Sequence, residues 1–165
     1  MAFFRCDVMS ESLGMATSVL VTMPDTGDLA AAPVVYLLHG LTDNCTGWLR
    51  YTQAEHLART HGAILIVPEV QRSCYTNLAC GPKYFTYINQ ELPTLCRRFF
   101  GIQPVPERTY IMGLSMGGYG AMKCAFTAPQ QYAGCAGFSH FAQFVVDSTA
   151  GFILYWTGRN HLRSQ

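Results

Sequence analysis

The sequence predicts an α/β domain, a mostly parallel β-sheet with helices on both faces in a three-layer αβα sandwich. Three observations predict it. Apolar runs of strand length at 34–38, 63–67 and 109–112 lack polar alternation, as strands buried on both faces do. Helical stretches alternate with them, which is what parallel crossovers require. The third run passes straight into Gly113-Leu114-Ser115-Met116-Gly117-Gly118, a glycine-rich junction between a strand and a helix.

Each element follows in turn. Segments 5–10 and 17–23 read as two early strands, the second closing at the turn-rich Pro24-Asp25-Thr26-Gly27-Asp28. After Pro33 comes the buried strand 34–38, which ends at His39-Gly40. A helix is expected over 52–60, stopping near Gly62, and a buried strand over 63–67, closed by Pro68. A polar loop leads to a longer helix over 84–99, with Pro93 as an irregularity. Strand 109–112 precedes the glycine-rich turn, and a helix resumes through Thr127 before Pro129. Segment 133–138 reads as a fourth buried strand. With no repeat, low-complexity tract or linker, residues 1–165 read as a single domain.

Composition narrows the function classes. Half of the 165 residues are apolar and 13% are charged, so disorder is excluded. So low a charge count suits an oligomer, or a core whose covering elements lie elsewhere. Net charge is +1, with two lysines (Lys83 and Lys123) and nine scattered arginines. No basic stripe is present to meet phosphates, which argues against nucleic acid. The longest apolar run, 29–38, is interrupted by Pro33 and too short to span a bilayer, and the N-terminus shows no signal-peptide pattern. Seven cysteines without a CxxC pair give no metal site and read as reduced thiols of a cytoplasmic protein, most of them filling the core.

The chemistry concentrates at Ser115. Gly113-Leu114-Ser115-Met116-Gly117 matches the GxSxG nucleophile elbow of the α/β-hydrolase fold. A serine there occupies a sharp turn, with its hydroxyl projecting and a helix N-terminus behind it. Flanking glycines keep Cβ atoms out of the crowded bend. One oxyanion donor in this fold is the backbone N–H after the nucleophile, here Met116. The other comes from the loop after an earlier strand, where His39-Gly40-Leu41-Thr42 offers the N–H of Leu41. His39 precedes the serine, whereas the fold's order is serine, acid, histidine, so His39 reads as a loop-shaping residue.

The stretches VVYLLHGL (34–41), Trp48, GPKYFTYINQELP (81–93), Arg98-Phe99-Phe100 and GLSMGGYG (113–120) together resemble the tributyrin esterase branch of the esterase D family. S-formylglutathione hydrolases and mycolyltransferase-like acyltransferases are related members. The resemblance covers residues 1–140. It implies an α/β hydrolase that cleaves small-molecule, short-chain acyl esters without metal or cofactor, with Ser115 as nucleophile and Leu41 and Met116 as oxyanion donors. Acyl transfer is the alternative within the family.

That family continues well beyond this point, while 50 residues follow Ser115 here, so the C-terminal strands are expected to be missing or shortened. Asp147 is the sole carboxylate side chain in that stretch, and His140 and His161 its only histidines. An intact triad would therefore be Ser115, Asp147 and either His161 or His140. Segment 152–156 resembles the strand that should precede the acid, yet Thr157-Gly158-Arg159-Asn160-His161 follows it without a carboxylate. An inactive fragment or pseudoenzyme that binds acyl groups or a partner chain is thus a further expectation.

Overall fold

The structure is a computed structural model, and it describes residues 1–138 and the backbone of a strand at 152–156. Strands β1 (Ala2–Ser10) and β2 (Met15–Met23) form an antiparallel hairpin. Its turn is fastened by the Glu91 carboxylate, which accepts from the Ser10 hydroxyl (2.8 Å) and the amides of Glu11 (2.8 Å) and Ser12 (3.0 Å). Beyond β2 lie β4 (Ile64–Pro68), β3 (Val34–Leu38), β5 (Thr109–Leu114), β6 (Gly134–Phe138) and β7 (Phe152–Trp156), giving the order β1-β2-β4-β3-β5-β6-β7.

The central four strands, β4-β3-β5-β6, are parallel, and they are the four runs without polar alternation. The outer pairs β1–β2, β2–β4 and β6–β7 are antiparallel. The reason for the sequence pattern is visible in β3. Val34, Tyr36 and Leu38 enter the core on one face, while Val35 and Leu37 enter a second core on the other. A strand clamped between two apolar layers has no polar side to show.

The first core is covered by α3 (Tyr84–Thr86), a π-helical turn (Tyr87–Glu91), α4 (Leu92–Phe100) and α5 (Met116–Thr127), which contribute Tyr87, Leu92, Cys96, Ala121 and Cys124. The helix expected over 84–99 is thus present, with its break upstream of Pro93. Proline has no N–H to offer the carbonyl four residues earlier, so the helix widens there. The Leu92 N–H bonds to the Tyr87 carbonyl, five residues back.

The second core is covered by α2 (Ala54–Thr60), the helix expected over 52–60, and by a short helix ahead of it that the sequence did not predict, α1 (Gly47–Tyr51). Coverage there is partial. An apolar groove of about 450 Å³ runs over the sheet, walled by Val35, Leu37, Trp48, Leu57, Met112 and Phe138. Trp48 and Phe138 meet edge to face across it, ring centres 6.1 Å apart. All seven cysteines are free thiols, and Cys45, Cys96, Cys124 and Cys135 are buried. Among the described residues, no helix is long and apolar enough to cross a membrane.

Candidate active site

Strand β5 stops at Leu114 and α5 starts at Met116, so Ser115 alone turns the chain. It does so at φ 54°, ψ −114°, a conformation that costs a residue bearing a Cβ about 1–3 kcal/mol. Two hydrogen bonds pin the bend. The Ser115 N–H donates to the Phe138 carbonyl (2.7 Å), and the Ser115 carbonyl accepts from the Tyr119 N–H (3.1 Å). The flanking glycines are there because nothing larger fits. A Cβ on Gly113 would lie 2.2 Å from the Gly117 backbone, and one on Gly117 would lie 2.1 Å from the Leu38 carbonyl oxygen. Ser115 itself is exposed, at the N-terminal end of α5, where free helix amides carry partial positive charge. Met116, the first helical residue, is buried.

The His39-Gly40-Leu41 loop runs directly beside this bend. A Cβ built on Gly40 would stand 3.7 Å from the Ser115 Cβ and 3.4 Å from the Leu114 carbonyl oxygen. Leu41 follows, its side chain partly exposed. Parallel pairing of β3 with β5 causes this approach, because both strands end at the same edge of the sheet (Leu38 opposite Gly113). The three residues expected from sequence at one site, Ser115, Leu41 and Met116, therefore come from two adjoining strand ends.

His39 is wholly buried and shapes the loop, as its position ahead of the serine suggests. Its Nδ1 faces the Gly40 carbonyl at 2.8 Å, so this nitrogen carries the proton. Its Nε2 lies 3.2 Å from the Val70 N–H and 3.3 Å from Glu69 Oε1. Glu69 also accepts from the amides of Cys45 (2.9 Å) and Gln71 (2.7 Å). Burial works to raise the Glu69 carboxyl, but the His39 imidazole beside it and the Cys45 and Gln71 amides outweigh it and hold it at about 2. The Cys45 thiol beside it is pushed up to about 11, by burial first and then by Glu69, and is not a thiolate nucleophile at neutral pH.

Two further side chains fix the loop. The buried Tyr75 hydroxyl donates to the His39 carbonyl (2.9 Å), and the Trp48 indole N–H donates to the Leu38 carbonyl (3.0 Å). Tyr75 in turn fills the hollow at Gly120, where a Cβ would come within 2.4 Å of its ring. Lys123 ties down the same segment, donating to the Tyr75 carbonyl (3.2 Å) and the Thr76 hydroxyl (3.1 Å). Sequence reasoning passed over Glu69 and Tyr75. Glu69 had a signal, as a lone carboxylate directly after Pro68 at the end of a buried strand. Tyr75 had none, since its partners are far away in the chain.

The described histidines leave Ser115 without a base. His39 spends both ring nitrogens on backbone and Glu69, and His61 caps α2 at the end of the sheet where the parallel strands begin. His56 lies within that helix. Asp147, His140 and His161, the candidates for acid and base, lie outside the described residues. Among the described residues there is also no cluster of three or more His, Cys, Asp or Glu side chains able to hold a metal.

The fold is that of the α/β hydrolases. Within it, the chain belongs to the Esterase family, whose model, described as "Putative esterase", matches residues 10–153. An acetyl esterase of Caldicellulosiruptor saccharolyticus is 26% identical over 161 residues, covering 92% of this chain and 60% of that protein. An S-formylglutathione hydrolase of Rattus norvegicus is 27% identical over 142 residues, covering 72% and 50%. Among solved structures, the Staphylococcus aureus fluorophosphonate-binding serine hydrolase FphF superposes with a TM-score of 0.74 at 32% identity, over 81% of this chain and 55% of that one. The S. aureus S-formylglutathione hydrolase FrmB gives 0.72 and 31%, over 80% and 54%. The chain thus spans between half and three fifths of the length of these relatives.

Proposed function

We propose that the chain carries the nucleophile and oxyanion hole of a serine carboxylesterase acting on small, short-chain acyl esters. Ser115 Oγ attacks the ester carbonyl carbon, and the carbonyl electron pair moves onto oxygen. The amides of Leu41 and Met116 donate to that oxyanion, a contribution of about 10²–10³ in rate per donor in comparable sites. Collapse expels the alcohol with the serine's proton and leaves an acyl-serine, which water then hydrolyses. No metal or cofactor enters this route. The observation that carries the reading is the exposed Ser115 at φ 54°, between β5 and α5 and against Gly40. Relatives named for acetyl and formyl substrates support a short acyl group. The seven free thiols support a reducing, cytoplasmic setting, and the uncovered apolar groove supports self-association.

A second reading, acyl binding without turnover, is favoured by one observation: no described histidine is placed as a base for Ser115. A serine without a base keeps roughly 10³–10⁴-fold acceleration over water from the oxyanion hole and binding alone. A fluorophosphonate probe together with butyrate-ester turnover separates the two. Labelling at Ser115 that vanishes in Ser115→Ala, accompanied by turnover, supports the esterase. Folded protein that neither labels nor turns over defeats it.

A further inference from the structure

Strand β1 is the outermost on its side of the seven-stranded sheet, and among the described residues no strand lies beyond it. It is nine residues long and pairs one-to-one with β2, from Ala2↔Met23 to Ser10↔Met15. It therefore lacks the proline, the bulge and the lysine with which folded proteins keep a sheet edge from pairing. Its outward N–H and C=O groups are a continuous template for another strand.

The side chains say which strand. Phe4, Cys6 and Val8 turn to the first core, with Phe4 against Phe100, ring centres 5.7 Å apart. Successive strand residues face opposite ways, so Phe3, Arg5, Asp7 and Met9 share the other face. All four are exposed, Phe3 at 53% and Met9 at 73%. Asp7 accepts from the Ser18 hydroxyl on β2, but neither Asp7 nor Arg5 is in an ion pair among the described residues. The row reads apolar, positive, negative, apolar, and is complementary to itself when reversed.

We infer that β1 pairs antiparallel with the β1 of a second copy of this chain, about a two-fold axis through Cys6. Phe3 then stands opposite the partner's Met9 and Arg5 opposite the partner's Asp7, and the symmetry makes each contact twice. Moving the axis to Arg5 sets Arg5 against Arg5 and Phe3 against Asp7. Moving it to Asp7 sets Asp7 against Asp7 and Arg5 against Met9. Like charges directly opposed are destabilising, so the charges select one register. An isologous contact requires a patch to match itself, and this row does. The inference makes no use of the chemistry at Ser115.

Sedimentation velocity of the full chain over a concentration series tests it, with Arg5→Glu, Asp7→Lys and the double exchange Arg5→Glu/Asp7→Lys as variants. A monomer–dimer equilibrium is expected. Each single change opposes like charges and should weaken dimerisation about tenfold or more, whereas the double exchange restores opposite charges and should return it to within about threefold of the parent. Because the double exchange carries both substitutions, its recovery separates lost pairing from lost folding. Deuterium uptake locates the contact. Raising the protein concentration should slow exchange in β1, where the hairpin otherwise opens on its own, and leave β7 unchanged. A chain that stays monomeric throughout, a dimer indifferent to Arg5→Glu, a double exchange that fails to recover, or concentration-dependent protection in β7 rather than β1 would each overturn the inference.

Discussion

Gly117 lies so close under Leu38 that a methyl group on it would stand 2.1 Å from the Leu38 carbonyl oxygen and 2.8 Å from that of His39. The helix carrying the bend is thereby seated against the strand end that carries the neighbouring loop. Both obstacles are backbone, which cannot rotate aside. Gly117→Ala should accordingly cost about 3 kcal/mol or more, in the range of severe overpacking. Urea denaturation of the variant checks this, and a midpoint equal to the parent's would show that the two segments are not in contact.

Strain at Ser115 predicts a trade between stability and chemistry. Glycine adopts φ 54°, ψ −114° without the Cβ penalty, although it raises unfolded-chain entropy. Ser115→Gly should therefore be more stable than Ser115→Ala by about 1 kcal/mol, while both lose fluorophosphonate labelling. Equal stabilities in urea would mean the turn is relaxed.

Glu69 predicts a pH dependence of known sign. Its carboxyl is held at about 2 in the folded state, below its ordinary 4.5. A depressed carboxyl adds stability that is fully present above the unfolded value and is lost as pH falls through the folded one. Stability should thus decline between about 4.5 and 2, and Glu69→Gln should flatten that decline. Denaturation midpoints measured across this window give the answer, and parallel curves for the two proteins would contradict it.

Tyr75→Phe removes the donor to the His39 carbonyl and strands a buried acceptor. The expected cost is about 1–3 kcal/mol. Because that carbonyl belongs to the loop holding Leu41, the rate of Ser115 labelling should fall as well, beyond what the folded fraction explains. Labelling kinetics under conditions where both proteins are fully folded isolate the effect.

The strands were legible because burial on both sides erases the period-two pattern, leaving the apolar runs that became β3, β4, β5 and β6. Ser115 was legible because a tight strand-to-helix bend demands glycine at fixed offsets, and Gly113 and Gly117 are written at those offsets. What could not be read depends on distance in the chain. The short helix α1, which lies ahead of the expected 52–60, is a matter of packing over the second core, and the π-helical turn just upstream of Pro93 is signalled only as an irregularity. Glu69 and Tyr75 serve a loop some thirty residues away, a relationship no local pattern encodes.

The strand that delivers Ser115 has a parallel neighbour on each side, with β3 and β6 both inside the seven-stranded order. Its amides are the ones expected to exchange with deuterium only through whole-molecule opening, whereas the edge hairpin β1–β2 can breathe separately. A treatment that silences the serine while β5 stays protected acts locally, and isotope uptake would distinguish such local loss from collapse of the entire domain.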